Sequence, residues 1–310
     1  MKIVFLDAKT IGEDIDLSRF DQLGEVVKYP FSTSEEVPER VKGADVLIIN
    51  KITINKQTIH TAEHLKLICV TATGTDVLDK KYLEKRGIAW RNVADYSTES
   101  VAQHTFAMLF YLLEKLSYYD NYVKSGRYVN DTSFSHFAEA FHELQGMTWG
   151  IIGLGNIGRR VASIAEAFGA HVIYCSPSGA QPQPGYSQVD FETLLASSDI
   201  VSVHAPLNQY TERLMDEAAF RKMRSHAIFL NLGRGQIVEE YALAAALNQN
   251  QIAAAGLDVL AREPMSEDSP LRSIQDSRRL LITPHIGWAS VESRTRLMEI
   301  IAGQISSFFS

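Results

Sequence analysis

Short apolar runs recur along the chain, and amphipathic stretches separate them. Ile3-Val4-Phe5-Leu6, Val46-Leu47-Ile48-Ile49, Leu67-Ile68-Cys69-Val70 and the shorter Ile88-Ala89-Trp90 form a first series. Continuous apolar runs of this length predict strands of a parallel sheet covered on both faces, and their alternation with amphipathic stretches predicts an α/β class. A second series is Trp149-Gly150-Ile151-Ile152, His171 to Cys175, Ile200 to Val203, Ala227 to Leu230, Ile252 to Ala255 and Leu280-Leu281-Ile282. These six strands with helices between them suit a doubly wound sheet. Between the series, Ser97 to Tyr119 predicts one long bridging helix, with Glu99 in its first turn and Phe106, Leu109 and Leu113 in its apolar part. Residues 126–145 hold Phe134, His136 and Phe141 without periodicity and predict a long loop with a functional or interface role. Gln181-Pro182-Gln183-Pro184-Gly185 predicts a turn-rich surface loop.

Composition adds limits. The 310 residues are 45% apolar and 22% charged, ordinary for a globular chain and long enough for two domains. The net charge is −7 and no basic run stands out, which argues against a nucleic-acid partner. The apolar start stops at Asp7, short of a signal peptide or membrane span, so a cytoplasmic protein with no membrane partner is expected. Cys69 and Cys175 sit in separate strand-like runs and read as buried free thiols of a reducing compartment. From the short tail after His285, no appended regulatory domain is expected.

The strongest local signal is Gly153-Leu154-Gly155-Asn156-Ile157-Gly158, directly after a predicted strand and opening a predicted helix from Arg159 to Phe168. Glycines at this spacing permit a tight turn, close approach of the backbone to a pyrophosphate and close helix-to-strand packing, with the phosphates at the positive helix end. A dinucleotide cofactor follows, NAD or NADP. The carboxylate that usually holds the ribose hydroxyls at the end of the second strand is replaced by Cys175-Ser176-Pro177-Ser178, and residues 171–189 contain no Lys or Arg to attract a 2′-phosphate. NADP is therefore permitted but not demanded, with a slight lean to NAD.

Three further clusters follow predicted strands: Asn231-Leu232-Gly233-Arg234-Gly235, Gly256-Leu257-Asp258-Val259 with Glu263-Pro264, and Thr283-Pro284-His285-Ile286-Gly287-Trp288. All could converge at the carboxyl edge of the sheet, where open α/β folds bind ligands. Reducing a ketone by hydride needs a proton donor, and His285 suits that task. Glu263, hydrogen-bonded to the imidazole, would favour its charged form. The Arg234 guanidinium can hold a carboxylate through two parallel contacts and polarise the adjacent carbonyl.

In this order and spacing the clusters resemble the D-isomer-specific 2-hydroxyacid dehydrogenase family, nearly end to end. Asn50-Lys51, Ser100 to Phe106 and Pro284 to Trp288 further resemble its glycerate dehydrogenase, or hydroxypyruvate reductase, branch. The resemblance implies Arg234, Glu263 and His285 as the catalytic set and Asp258 as a contact to the nicotinamide carboxamide. It also implies that Ala72-Thr73-Gly74 offers backbone N–H groups to the substrate carboxylate, although many members have Gly where Ala72 stands. The candidate cofactor contacts are Gly153, Gly155, Asn156, Ile157, Gly158, Ser176, His204, Ala205, Pro206, Thr211, Leu232, Gly233, Arg234, Asp258, His285 and Trp288. The implied architecture is nested: a Rossmann dinucleotide-binding domain, 99–286, inserted into a flavodoxin-like substrate domain, 1–98 and 287–310. Helix 99–119 and loop 126–145 would make a homodimer face.

Several residues keep a plain structural reading. His60-Thr61-Ala62-Glu63-His64 matches a zinc-binding spacing but reads as a solvated helix face, so no metal is expected. His204 is balanced between a structural role and a cofactor wall. Lys51 is balanced between substrate contact and solvation, and His104 reads as packing or interface. The expected reaction interconverts a small 2-keto acid and a D-2-hydroxy acid, with hydroxypyruvate and D-glycerate leading and glyoxylate next. Another family dehydrogenase, such as a phosphoglycerate-type enzyme, and an NAD(H)-sensing binding protein resembling the family's corepressors stand as alternatives. Against one further relative, the family's formate enzymes carry Gln where Glu263 stands.

Overall fold

Every predicted strand of the first series lies in one sheet of the computed structural model, which describes residues 1–179 and 184–310. The chain divides into two units, Met1–Ser97 with Ala289–Ser310, and Thr98–Trp288. In the first, β1 (Lys2–Phe5), β2 (Glu25–Lys28), α1 (Val37–Arg40), β3 (Val46–Ile49), α2 (Lys56–Ile59), β4 (Leu67–Val70), α3 (Lys80–Arg86) and β5 (Ala89–Arg91) follow in order. The strands pair in parallel as β2-β1-β3-β4-β5, the flavodoxin-like doubly wound order. All four residues of β3 and of β4 are buried, which is why these two strands read as unbroken apolar runs. The edge strand β2 carries Glu-Val-Val-Lys, half-exposed with a charge at each end, and so presents no apolar run in the sequence. Asp79 caps α3 by accepting the Tyr82 N–H at 3.0 Å, and Gly87 ends it in the left-handed conformation.

The second unit opens with α4 (Thr98–Leu113) and α5 (Leu116–Lys124). The single helix expected over Ser97 to Tyr119 is thus two, because Lys115 adopts a left-handed φ of 55° and interrupts the ladder with neither glycine nor proline to signal it. Within residues 126–145 the regular structure is a short 3₁₀ turn, Arg127–Asn130. Then come β6 (Thr148–Ile152), α6 (Asn156–Ala167), β7 (His171–Cys175), β8 (Ser187–Gln188), α7 (Phe191–Ser197), β9 (Ile200–Val203), α8 (Glu217–Lys222), β10 (Ile228–Asn231), α9 (Glu240–Asn248), β11 (Ala254–Leu257) and β12 (Leu280–Ile282). The helix α10 (Val291–Phe309) returns to the first unit. The seven strands pair in parallel as β12-β11-β10-β9-β6-β7-β8, so the order reverses between β6 and β9, the position at which doubly wound sheets bind dinucleotides. The seventh strand, β8, is only two polar residues long and was not predicted. Of the predicted surface loop 181–185, residues 181–183 lie outside the described residues.

Successive residues of the central strands feed two separate cores, one on each face of this sheet: Ile200, Ile228 and Leu230 join one, and Val201, Val203 and Phe229 the other. The fully buried Trp149 of β6 anchors the first, and its indole N–H donates to the Ser202 hydroxyl at 2.8 Å. Gly256 of β11 lets α4 lie close on the sheet, since a Cβ there would stand 3.2 Å from Met108 and 3.4 Å from Leu112.

Candidate active site

Five turns leave the carboxyl ends of β6, β9, β10, β11 and β12, and they carry most of the predicted functional residues. The first is the glycine loop. Gly153 has a φ of 91°, and a Cβ on it would meet Ala205 at 2.8 Å, so the turn and its packing both require glycine. A Cβ on Gly158 would lie 2.3 Å from the Gly153 carbonyl oxygen. Gly155, the N-cap of α6, is different: nothing lies within 4 Å of its Cβ position. Its smallness serves no internal packing and leaves open space before the first turn of a twelve-residue helix, where a phosphate would approach the backbone. Asn156 is exposed and Ile157 half-buried on that first turn, which begins three residues before the predicted start at Arg159. The residues present fit a dinucleotide.

The β9 turn holds His204, Ala205, Pro206 and Thr211. The His204 Nε2 lies 3.1 Å from the Ser202 hydroxyl, which also accepts from Trp149, while its Nδ1 is buried with no hydrogen-bond partner among the described residues. Burial pushes the imidazole down to about 3, so His204 is neutral across the physiological range. Thr211 is buried and braces the loop by donating to the Pro206 carbonyl at 2.7 Å and accepting the Asn208 N–H at 2.9 Å. Ser176 follows β7 directly.

After β10, the buried Asn231 brackets the arginine turn: its oxygen accepts the Gly233 N–H at 3.1 Å and its amide donates to the Arg234 carbonyl at 3.0 Å. Leu232 is buried, and the Arg234 Nη1 donates to the Gly233 carbonyl at 2.9 Å. Gly235 lies against the backbone of Leu260 and Ala261 so closely that no Cβ fits, which sets the Arg234 turn against the segment that leads to Glu263.

Glu263 and His285 are joined. The Glu263 Oε2 accepts the His285 Nδ1–H at 2.7 Å, and its Oε1 accepts the Leu260 N–H at 3.1 Å. An ionised carboxylate only accepts, so this bond places the Nδ1 proton on the imidazole and leaves Nε2 unengaged among the described residues. His285 itself has a left-handed φ of 56°, an uncommon conformation for a residue with a Cβ. Its carbonyl accepts the Trp288 indole N–H at 3.0 Å.

Asp258 maintains that turn. It is buried, accepts the Thr283 hydroxyl at 2.7 Å and the Ile286 N–H at 2.9 Å on Oδ1, and accepts the Gly287 N–H at 2.8 Å on Oδ2. Burial is the largest single influence and pushes this carboxyl up. The bonds from His104, Thr283, Gly287 and Ile286 outweigh it and hold Asp258 below the usual carboxylate range. The hydroxyl of Thr283 and the N–H of Ile286 both meet Oδ1, with His104 Nε2 3.5 Å from the same oxygen, while the Gly287 N–H meets Oδ2.

The remaining substrate candidates belong to the first unit. Lys51 is exposed, and its backbone N–H donates to the buried Asp7 carboxylate at 2.7 Å, as does the Asn50 N–H at 3.0 Å. Ala72-Thr73-Gly74 follows β4; the Thr73 hydroxyl donates to the Val93 carbonyl at 3.0 Å, and Asn92 donates to the Thr73 carbonyl at 2.7 Å. Their backbone N–H groups donate to no acceptor among the described residues. His60 and His64 stand beyond the end of α2, not on a helix, and His60 Nδ1 lies 2.9 Å from the Gln57 carbonyl. No group of three or more His, Cys, Asp or Glu side chains among the described residues is placed to hold a metal ion.

The roles of the supporting side chains were not legible in the sequence: Asn231 behind Arg234 and Thr283 behind Asp258 in the second unit, and Asp7 behind Lys51 in the first, while His104, expected to be a packing or interface residue, bonds Thr283. Their residue types were visible, but only the folded turns show what each side chain meets.

A doubly wound parallel sheet with a glycine loop at its reversal point and a paired histidine and glutamate on the same edge defines the nicotinamide-dependent dehydrogenase class. The model of the D-isomer specific 2-hydroxyacid dehydrogenase NAD-binding domain matches residues 106–287, and the chain belongs to that family. A glycerate dehydrogenase of Methylorubrum extorquens is 36% identical over 98% of this chain and 93% of its own. A hydroxypyruvate reductase of Blautia hydrogenotrophica is 33% identical over 99% of this chain and 97% of its own. The D-lactate dehydrogenase of Aquifex aeolicus, solved with NAD and lactic acid, superimposes with a TM-score of 0.87 at 26% identity over 99% of this chain and 95% of its own.

Proposed function

We propose that the protein reduces a small 2-keto acid to a D-2-hydroxy acid with a nicotinamide cofactor. Hydroxypyruvate to D-glycerate is the leading substrate pair and glyoxylate to glycolate the next. The observation that carries this reading is the 2.7 Å bond between Glu263 and His285, which leaves Nε2 without a hydrogen-bond partner among the described residues. A dinucleotide held by Gly153, Gly155, Asn156, Ile157 and Gly158 supplies the hydride when bound. The other proposed contacts to it are Ser176, His204, Ala205, Pro206, Thr211, Leu232, Gly233, Asp258 and Trp288.

The chain's own residues supply the rest. Arg234 grips the substrate carboxylate through its fork and polarises the neighbouring carbonyl. Backbone N–H groups of Ala72, Thr73 and Gly74, together with Lys51, are further carboxylate contacts in this proposal. His285 passes the proton on Nε2 to the carbonyl oxygen as the carbon accepts hydride, and Glu263 holds the Nδ1–H and so orients the ring. In these roles the proposed substrate domain is 1–98 with 287–310 and the proposed cofactor domain 99–286, near the bounds of the two compact units.

Ser176 at the end of β7 removes the carboxylate that would repel a 2′-phosphate, and no cation between 171 and 189 replaces it, which supports NAD with relaxed discrimination. Phe134 and Phe137 are 91% and 87% exposed beside α5, which supports a homodimer formed through this segment. Two buried, unpaired cysteines suit a cytoplasmic setting. No helix among the described residues is long and apolar enough to cross a membrane.

The test is turnover of a panel of 2-keto acids with NADH and NADPH at equal low concentration, followed by loss of reduced-nicotinamide absorbance. Reduction of hydroxypyruvate or glyoxylate is expected. Tight NADH binding with no turnover of any acid would overturn the proposal in favour of a dinucleotide sensor.

A further inference from the structure

His104 lies on α4, outside the turns that carry the proposed chemistry, yet its imidazole reaches them. Its Nε2 is 3.0 Å from the Thr283 hydroxyl and 3.5 Å from Asp258 Oδ1. The direction of these bonds follows from the partners. Asp258, ionised, only accepts; the single hydroxyl proton of Thr283 is therefore given to Asp258 at 2.7 Å, and the Thr283 oxygen must receive the proton on His104 Nε2. Asp258 in turn fastens the N–H groups of Ile286 and Gly287, the two residues that follow His285. The His104 ring also lies 3.3 Å from the Cβ position of Gly287, so it fills the space under the turn.

We propose that His104 is a positioning residue for His285. Through Thr283 and Asp258 it stabilises the left-handed turn that directs the imidazole onto Glu263, and so tethers the proton donor to α4. The functional part of this inference rests on His285 acting as that donor, whereas its structural part does not. Removing the ring deprives the Thr283 oxygen of its donor, withdraws an N–H from beside Asp258 and opens space next to Gly287. The turn then loses its fixed orientation while the glycine loop, on a different strand, is undisturbed.

The experiment compares His104→Ala and His104→Gln with the unaltered protein. Gln keeps an N–H donor of similar reach. Two quantities are read: the rate at which diethyl pyrocarbonate modifies His285, located by peptide mass mapping, and kcat for the best keto acid alongside the Kd for NADH. In His104→Ala the modification rate should rise several-fold and kcat should fall on the order of tenfold or more at unchanged NADH Kd. His104→Gln should recover most of both. An unchanged His285 modification rate in His104→Ala overturns the proposal, as does equal damage in the Ala and Gln variants. If His104→Ala fails to fold, Gln at normal activity with an unchanged His285 rate supports the donor role, and Gln at the rates of an unpinned turn overturns it. His285→Gln separates the two readings: if that variant still turns over, the proton-donor reading falls, while the labelling rate still decides the positioning role.

Discussion

The Glu263 carboxylate accepts the His285 Nδ1–H at 2.7 Å, and neither residue reaches the other through a regular element. One stands on the segment after β11 and the other on the turn after β12. Their meeting depends on Leu260 N–H holding the second carboxylate oxygen and on Asp258 holding the residues after the histidine. Replacing His285 by Ala should lower kcat for keto-acid reduction by roughly 10²–10⁴-fold, the range for losing a general acid, while NADH binding stays nearly intact. Steady-state kinetics with a fluorescence titration of NADH checks both halves. Retained turnover would sink the mechanism.

Arg234→Lys keeps the charge but loses the planar fork. A loss of about 1.5–3 kcal/mol of charged hydrogen bonding is expected, roughly ten- to hundred-fold in kcat/KM, with KM raised. An unchanged KM would count against a carboxylate partner for this guanidinium.

Two glycines of one loop should respond in opposite ways. Gly155→Ala meets open space at a φ of −75° and should fold normally, with at most a modest cost at the helix N-cap, while weakening dinucleotide binding. Gly158→Ala drives a methyl group to 2.3 Å from the Gly153 carbonyl oxygen and should lower the unfolding midpoint itself. Thermal unfolding with and without NADH distinguishes a binding defect from a folding defect. Equal midpoints without NADH for the two variants would contradict the packing shown by the loop.

Asp258 makes stability depend on pH in a definite direction. Its folded-state value lies below the ordinary 3.8, so the folded protein holds this proton less tightly than the unfolded chain does. The stabilisation is fully present above that ordinary value and is lost as pH falls through the lowered one. The stability gap between the protein and Asp258→Asn, read from denaturant midpoints, should therefore be widest near neutrality and narrow as pH falls below 3.8. A gap that widens on acidification would show that the bonds to Thr283, Ile286 and Gly287 do not favour the charged form.

Cys69 and Cys175 are buried, and burial pushes both thiols up to about 12. Neither should react with iodoacetamide in the folded protein near pH 8, about where a free thiol titrates, and both should react once it is unfolded. Mass spectrometry counts the adducts, and rapid alkylation of the native protein would contradict this burial.

Strand positions were legible wherever burial on both faces demanded an unbroken apolar run, as in Val46–Ile49 and Leu67–Val70. They were not legible in β2 and β8, where an edge position tolerates charged or polar residues and the ladder bonds alone define the strand. The break at Lys115 was equally hidden, since a left-handed lysine leaves no mark in the pattern of apolar positions.

By itself the sequence determined the kind of chemistry: a glycine spacing that only a close phosphate approach or a tight turn requires, and an arginine, a glutamate and a histidine each placed just after a strand. Parallel strands bring such positions to one edge, so their convergence follows from chain order alone. Only the tertiary structure decided what holds them. The bonds from Asn231 to the Arg234 turn and from Asp258 to the N–H groups after His285 join side chains to backbone groups whose direction depends on local φ and ψ, and the bond from His104 to Thr283 joins two side chains from distant parts of the chain. Hydrogen bonds are short-ranged and directional, and a linear pattern carries no record of direction.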